Sequence, residues 1–250
     1  MEITGNEIMT FIAVLIRVSL ILMFLPFLGT KTTPMQLRIG LIVALSIVIT
    51  PVVHIEFDEK EILVVLMKEL VFSFVIALAV RFIFYAIDSG AQVVATTMGL
   101  SMGNVFNPEI GQSTEVARLY GFMAVILFLS MNGHHYFIYA VVKSFQKIPI
   151  GGVNLTEMIK TGISLSGLVF EIAIKIAAPV IAVVMVNNIL LGALYKLIPQ
   201  FNVFFVAYPL YLALGYIVLM IGLPFFMIFI SGYFADMKGY LNNLILIGAR

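Results

Sequence analysis

Residues 201–234 read FNVFFVAYPLYLALGYIVLMIGLPFFMIFISGYF and contain no acidic or basic side chain. A helix that crosses the ~30 Å hydrocarbon core of a bilayer needs only ~20 mostly apolar residues, because each residue adds ~1.5 Å. The stretch is therefore long enough for a membrane span and too long for one helix set perpendicular to the membrane. It predicts a helix that is strongly tilted, broken or folded into a hairpin.

The composition of the whole chain is also typical of a membrane protein. The chain has 250 residues, 62% of them hydrophobic and 11% charged, with a formal net charge of +1 and a mean hydropathy of +1.13. Soluble domains are ~45–50% apolar and ~25% charged, which excludes a soluble enzyme and a disordered chain. The basic residues are scattered, so no nucleic acid is expected as a partner. The absence of cysteine excludes disulfides, thiol chemistry and cysteine-ligated metals.

Six apolar segments are long enough to cross a membrane. They are Met9–Gly29, Leu37–Ile55, Ile62–Ile87, Leu119–Val142, Ile163–Tyr195 and Phe201–Phe234. We predict helices because backbone polar groups in lipid must be paired within the segment. Proline removes a helical hydrogen bond, so we expect bends or breaks at Pro179, Pro209 and Pro224. The predicted fold class is an all-α membrane protein of long, tilted and kinked helices.

Charged residues within or beside these segments are candidate functional positions. They are Arg17, Lys68, Glu69, Arg81, Glu171 and Lys175. A charge at mid-bilayer costs at least ~2.5–3.5 kcal/mol, so such residues usually have a partner or a function. Glu171 and Lys175 have the favourable order for a helical i,i+4 pair; they form a structural pair, part of a proton or ion relay, or a contact with a neighbouring subunit. Arg17 has no obvious partner within its own segment.

The stretch 98–111 reads MGLSMGNVFNPEIG. Its glycines, asparagines and proline disfavour a regular helix, although many of its other residues are apolar. Irregular backbone at membrane depth is tolerated where it is buried in protein or lines a cavity. The stretch is therefore either a loop packed on its own helices or a re-entrant plug that seals a pore by excluding water. The residues assigned to the plug are Met98, Met102, Gly103, Asn104, Val105, Phe106, Asn107 and Pro108.

Four short motifs carry a resemblance to a known family. They are Met98–Ser101, Asn107-Pro108, Asn132–His134 and Ile148–Gly152. In this order and spacing they resemble the FliR/SctT family of type III secretion export-gate proteins, and its flagellar branch in particular. The resemblance implies a FliP-like helical part over residues 1–155, with a central plug loop at about 101–115. A FliQ-like helical hairpin over residues 156–250 follows.

The resemblance also implies a function. Members of this family contribute to an inner-membrane gate through which unfolded flagellar proteins are exported, within the flagellar basal body. The implied partners are FliP-like, FliQ-like and FlhB-like subunits, the unfolded export substrates and the lipid membrane. We expect the chain not to persist alone as a packed monomer, because many faces are apolar and Arg17 lacks a partner in its own helix. No enzymatic activity and no cofactor are implied.

Other chemistry has little support in the sequence. His134 and His135 are adjacent and would point ~100° apart on a helix, so they cannot easily chelate one ion, and no HExxH, GxSxG or Walker-type motif is present. We therefore expect no catalytic, metal or cofactor site. Asn132–His134 favours a helix irregularity that allows close packing. The alternative function is a small secondary transporter, in which broken helices near Pro179/Asn187 and Pro209/Pro224 would frame a substrate site.

Overall fold

The fold is built from helices throughout the part of the chain that the structure, a computed structural model, describes. The described residues are 5–25, 33–53, 62–100, 114–198 and 202–249, and none of them lies in a strand. The helices are α1 (Gly5–Met23), α2 (Met35–Ile49), α3 (Ile62–Thr97), α4 (Glu115–Ser130), α5 (Gly133–Lys147), α6 (Leu155–Leu197) and α7 (Val203–Gly248). A short 3-10 turn, Thr50–Val52, follows α2. The predicted all-α fold is confirmed.

The helices also agree with the predicted number of membrane segments. Five of them in the described ranges are long and apolar enough to cross a membrane. The bent pair α4 and α5 adds a sixth when it is counted as one span. Every predicted segment therefore corresponds to a helix or, for Leu119–Val142, to this bent pair. The composition alone was sufficient for this result, because a long apolar run satisfies its backbone most simply as a helix.

The prolines do not break the two longest helices, so of the two predicted outcomes, a bend or a break, only a bend remains, and it stays a prediction. Pro179 lies inside α6, which has 43 residues, and Pro209 and Pro224 lie inside α7, which has 46. At ~1.5 Å per residue each helix is roughly 65–70 Å along its axis, about twice the ~30 Å hydrocarbon core. Each proline costs one backbone hydrogen bond, whereas ending the helix in apolar surroundings would leave several backbone groups unpaired. Continuation through the proline is therefore the lower-cost solution.

The helices α6 and α7 form an antiparallel hairpin. The contacts that define the pairing join Asn188 to Tyr211, Glu171 to Tyr233 and Asn154 to Gly248. In these contacts the residue numbers decrease along α6 while they increase along α7, so the two helices run in opposite directions. The predicted hairpin near the C-terminus is therefore present, and its likeness to FliQ stays a prediction.

The helix irregularity predicted at Asn132–His134 is confirmed. Asn132 adopts the left-handed conformation, with φ 57° and ψ 28°, and separates α4 from α5. Gly133 follows it, buried against the ring of Phe128, which occupies the space a Cβ atom would need. The Phe128 ring in turn packs edge-on against Phe137 and Phe234, at centroid distances of 6.0 and 5.4 Å. A glycine here lets the start of α5 lie directly on an aromatic cluster.

The chain divides into two compact units. Unit 1 contains residues 1–82, 128–167 and 234–250, and unit 2 contains residues 83–127 and 168–233. Four helices, α3, α4, α6 and α7, contribute residues to both. This division differs from the predicted FliP-like and FliQ-like parts. Those parts rest on resemblance rather than on contacts within the chain, and they stay a prediction.

Gly133→Ala is expected to lower the stability of the folded chain, because the new methyl group collides with the buried Phe128 ring. Overpacking of this kind costs about 1–3 kcal/mol. The matched control is Gly121→Ala in α4, where an added Cβ meets nothing within 4 Å. Thermal unfolding of the detergent-purified protein should show a lower midpoint for Gly133→Ala only. Equal midpoints for the two variants would contradict the close packing described here.

Candidate functional site

The first predicted site is the loop that follows α3, and its entry is well defined in unit 2. Gly99 has φ 81°, a conformation that favours glycine. The Gly99 N–H donates to the Thr96 carbonyl and the Leu100 N–H to the Ala95 carbonyl, both at 3.0 Å. These two bonds form a Schellman motif, which ends a helix by satisfying its last carbonyl groups. The chain therefore leaves α3 in a fixed direction immediately before residue 101.

Met98, the first residue assigned to the plug, is anchored within unit 2. Its side chain is fully buried and lies against Gly215 of α7, where a Cβ atom would overlap it. In this structure Met98 is therefore a packing residue that attaches the end of α3 to α7. Its contact with export substrates stays a prediction.

The exit of the loop is also fixed in unit 2. Thr114 is buried, and its hydroxyl oxygen accepts a hydrogen bond from the Ala117 N–H at 3.3 Å. This is an N-cap bond, which satisfies one of the unpaired amides at the start of α4. The remaining plug residues, Met102, Gly103, Asn104, Val105, Phe106, Asn107 and Pro108, lie outside the described residues. The assignment of these residues to a pore seal stays a prediction.

The second candidate is a buried ion pair in unit 1. The Arg17 guanidinium donates from Nε and Nη2 to the two carboxylate oxygens of Glu69, each at 2.7 Å, and both side chains are fully buried. Arg17 Nη1 also donates to Ser144 Oγ at 3.3 Å. The guanidinium carbon lies 4.7 Å from the ring centroid of Phe72 and 4.3 Å from that of Phe145. A bidentate salt bridge and cation–π contacts with two aromatic rings thus stabilise the buried charge. A planar guanidinium can form both kinds of interaction at once.

The same pair holds the turn that joins α5 to α6. Arg17 Nη1 donates to the Ile148 carbonyl at 3.3 Å, and the Gly151 N–H donates to Glu69 Oε1 at 3.0 Å. Gly151 has φ 79°, which again favours glycine. The predicted motif Ile148–Gly152 is therefore tied to α1 and α3 by charge-assisted hydrogen bonds.

Arg17 was expected to lack a partner in its own segment, and its partner is in α3. The two residues are separated by 52 positions, so no local pattern joins them. The available signal was that Arg17 and Glu69 are opposite charges in apolar runs, where charges usually pair. Arg17 therefore gives no support to the expectation that other subunits must cover it.

Two other predicted charges lie along α3. Lys68 donates from Nζ to the Gly151 carbonyl at 3.2 Å, so it also supports the turn after α5. Arg81 is partly buried. Asp88 accepts a hydrogen bond from the Gln92 amide at 3.3 Å. The described residues contain no cluster of three or more His, Asp or Glu side chains able to hold a metal ion.

The predicted Glu171–Lys175 pair forms in unit 2. Lys175 Nζ donates to Glu171 Oε1, and the Tyr233 hydroxyl donates to the same oxygen at 3.3 Å. About half of each charged side chain is exposed, 49% for Glu171 and 50% for Lys175. Unlike Arg17–Glu69, this pair is not enclosed by the chain that carries it. The choice between a structural pair, a relay and a subunit contact stays a prediction.

Glu69→Leu is expected to destabilise the chain by about 3–5 kcal/mol, because it leaves the Arg17 charge buried without its counter-charge. The double variant Arg17→Met with Glu69→Leu should recover part of that loss, since it removes both charges. Recovery stays incomplete because the Gly151 N–H and the Ile148 carbonyl lose their partners. Thermal unfolding in detergent measures both effects.

The control for this series is Glu157→Gln, which breaks the exposed Lys160–Glu157 pair on α6. Exposed pairs contribute at most about 1 kcal/mol, so this variant should unfold near the wild-type temperature. A Glu69→Leu protein as stable as the control would contradict the central role of the buried pair.

Comparison with known proteins places the chain in a family. It matches the family described as Bacterial export proteins, family 1, over residues 8–237. It is 30% identical over 243 residues to the Flagellar biosynthetic protein FliR of Aquifex aeolicus (strain VF5), covering 94% of this chain and 93% of that protein. The identity is 25% over 236 residues, or 92% and 90% of the two chains, for FliR of Escherichia coli (strain K12). It is 26% over 249 residues, or 95% of each chain, for FliR of Bacillus subtilis (strain 168).

The chain therefore belongs to family 1 of the bacterial export proteins, and the resemblance to the FliR family is confirmed. Its apolar helices and these relatives make it a multi-pass protein of the bacterial inner membrane and a component of the flagellar export apparatus.

Proposed function

We propose that this family 1 export protein is a subunit of the export gate of the flagellar type III secretion system, where it helps to form and plug the pore used by unfolded flagellar proteins. FliP-like, FliQ-like and FlhB-like subunits are its proposed partners. The chain acts by position and shape, and it performs no chemistry on the substrate.

The observation that carries this proposal is the way the chain is fixed on either side of residues 101–113. The loop begins at a Schellman motif at Gly99 and ends at the N-cap Thr114, and both anchors belong to unit 2. Met98, buried against Gly215, packs the end of α3 onto α7. A loop with two firm ends can change its path while the helices that carry it stay folded, which is the mechanical requirement for a plug.

The chemistry of the loop suits an apolar seal. Val105 and Phe106 supply bulk, and a constriction of bulky apolar groups blocks water and ions by dewetting, without any charge. Met102 is flexible and adapts to varied substrate side chains. Gly103 and Asn107-Pro108 allow the chain to turn back on itself. Opening is then a displacement of the loop, driven by partners or by the export substrate.

Exposed apolar faces support the proposed partners. Only 6% of the Met35–Val52 span is buried, and large side chains such as Phe170 and Phe205 are 72% and 81% exposed. Lipid can cover such faces, but the half-exposed Glu171–Lys175 pair is costly beside acyl chains. A neighbouring protein subunit satisfies both the apolar surface and the charges.

The alternative, a small secondary transporter, has lost its main support. That function requires broken helices whose ends face a substrate near mid-membrane. Pro179, Pro209 and Pro224 lie inside unbroken helices, so these positions supply no such ends.

Deletion of residues 103–111 is expected to leave the gate assembled but leaky to small solutes, because the apolar seal is lost while both anchors remain. Phe106→Ala should give a weaker leak in the same direction. Ion conductance or small-solute uptake in cells that express the complete gate measures the leak, and co-purification of the partners measures assembly.

The control is Phe170→Ala, the same substitution at an exposed position of α6. It can weaken assembly but should not open the seal. If the deletion leaves permeability unchanged in a normally assembled complex, the plug proposal fails. If Phe106→Ala lowers assembly without a leak, Phe106 instead packs against the helices of its own chain.

Expression without FliP-like and FliQ-like subunits is expected to yield a chain that aggregates or is degraded, because its apolar faces and the Glu171–Lys175 pair stay uncovered. Co-expression should recover a monodisperse complex on size-exclusion chromatography. Native mass spectrometry then identifies the subunits and their numbers. A stable, protease-resistant monomer obtained alone would contradict the proposed dependence on partners.

A further inference from the structure

We propose that Lys143, Lys238, Tyr139 and Asn242 form a binding site for the phosphate group of an anionic phospholipid. The four side chains belong to unit 1 and come from α5 and α7. They are not part of the plug loop or of the Arg17–Glu69 pair, and the site is independent of the proposed gating function.

The two ammonium groups meet at one tyrosine. Lys143 Nζ donates to the Tyr139 hydroxyl at 2.6 Å and to Asn242 Oδ1 at 2.9 Å. Lys143 Nζ and Lys238 Nζ each lie 5.0 Å from the centroid of the Tyr139 ring. The hydrogen bonds to Tyr139 and Asn242 fix the position of the Lys143 ammonium.

No carboxylate neutralises this pair of lysines within the described ranges. The ion pairs found there join Arg17 to Glu69, Arg118 to Glu115, Lys160 to Glu157 and Lys175 to Glu171. Asp236 precedes Lys238 by two positions, which places it ~200° around the helix from that lysine. Two ammonium groups that each lie 5.0 Å from the same ring centroid, without a carboxylate partner among the described residues, favour an anion beside that ring. A phosphate suits lysine, which binds it as a point charge.

The surroundings favour a phosphate that carries acyl chains. On α5, Ile138 and Val142, which precede Tyr139 and Lys143 in the sequence, are 47% and 44% exposed. On α7, Leu246 is 48% exposed, two turns beyond Lys238. Tyrosine and lysine beside exposed aliphatic groups are typical of the membrane interface, where the aliphatic groups contact acyl chains and the polar ends reach the headgroups. A soluble phosphate would gain nothing from this apolar border.

The test uses the full chain purified with its co-expressed partners in mild detergent. The complex is titrated with phosphatidylglycerol or, separately, with zwitterionic phosphatidylcholine, and bound lipid is counted by native mass spectrometry. We expect several-fold more phosphatidylglycerol than phosphatidylcholine on the wild type. The double variant Lys143→Gln with Lys238→Gln should lose that preference.

Two controls separate charge from folding. Lys143→Arg with Lys238→Arg retains both charges and should retain the preference. Lys160→Gln removes a lysine that is already paired with Glu157 and should leave binding unchanged. Equal phosphatidylglycerol binding by the glutamine and wild-type proteins would overturn the proposal. So would displacement of the lipid by inorganic phosphate at matched concentration, since the site would then recognise free phosphate.

Discussion

A fully buried guanidinium–carboxylate pair organises unit 1. Arg17 on α1 and Glu69 on α3 lie in segments that otherwise contain almost only apolar side chains. Removing two charges from water costs several kcal/mol for each ion, and only close geometry and further hydrogen bonds offset that cost. Arg17 and Glu69 meet both conditions: they form a bidentate salt bridge, and they make further hydrogen bonds to Ser144, Ile148 and Gly151. Because all of these groups must be in place together, the pair selects one arrangement of α1, α3 and the turn after α5.

The second ion pair, Glu171–Lys175, differs from Arg17–Glu69 in its burial and therefore in what it does for the fold. Glu171 and Lys175 are neighbours on one helix, and their contacts outside that helix are with Tyr233 and the ring of Phe229, both on α7. Its half-exposed state means that the surroundings of the chain, and not the chain itself, complete its environment. Arg17–Glu69 thus specifies the internal packing of unit 1, whereas Glu171–Lys175 lies half-exposed on the surface of unit 2.

The connections between helices are defined by the residues at which the helices end. Gly99 and Thr114 fix the two ends of the central loop, and Asn132 with Gly133 separates α4 from α5. Gly99 and Asn132 end their helices with positive φ, whereas the hydroxyl group of Thr114 caps the start of α4. Three prolines, Pro179, Pro209 and Pro224, lie inside unbroken helices, although proline is the residue most often associated with helix breaks.

The sequence by itself determined the all-α membrane class, the positions of the apolar segments, the irregularity at Asn132–His134 and the Glu171–Lys175 pair. Each of these depends on residues near one another in the chain: a run of apolar side chains, a left-handed asparagine followed by glycine, or charges one helical turn apart. The family resemblance also came from short motifs in order. The tertiary structure alone decided that Glu69 is the partner of Arg17, that Met98 is buried on Gly215, and that Lys143 and Lys238 share the ring of Tyr139. Apart from the i,i+4 contact of Lys143 with Tyr139, these contacts join residues far apart in the chain, and they exist only after the helices have packed, because no local periodicity brings their side chains together.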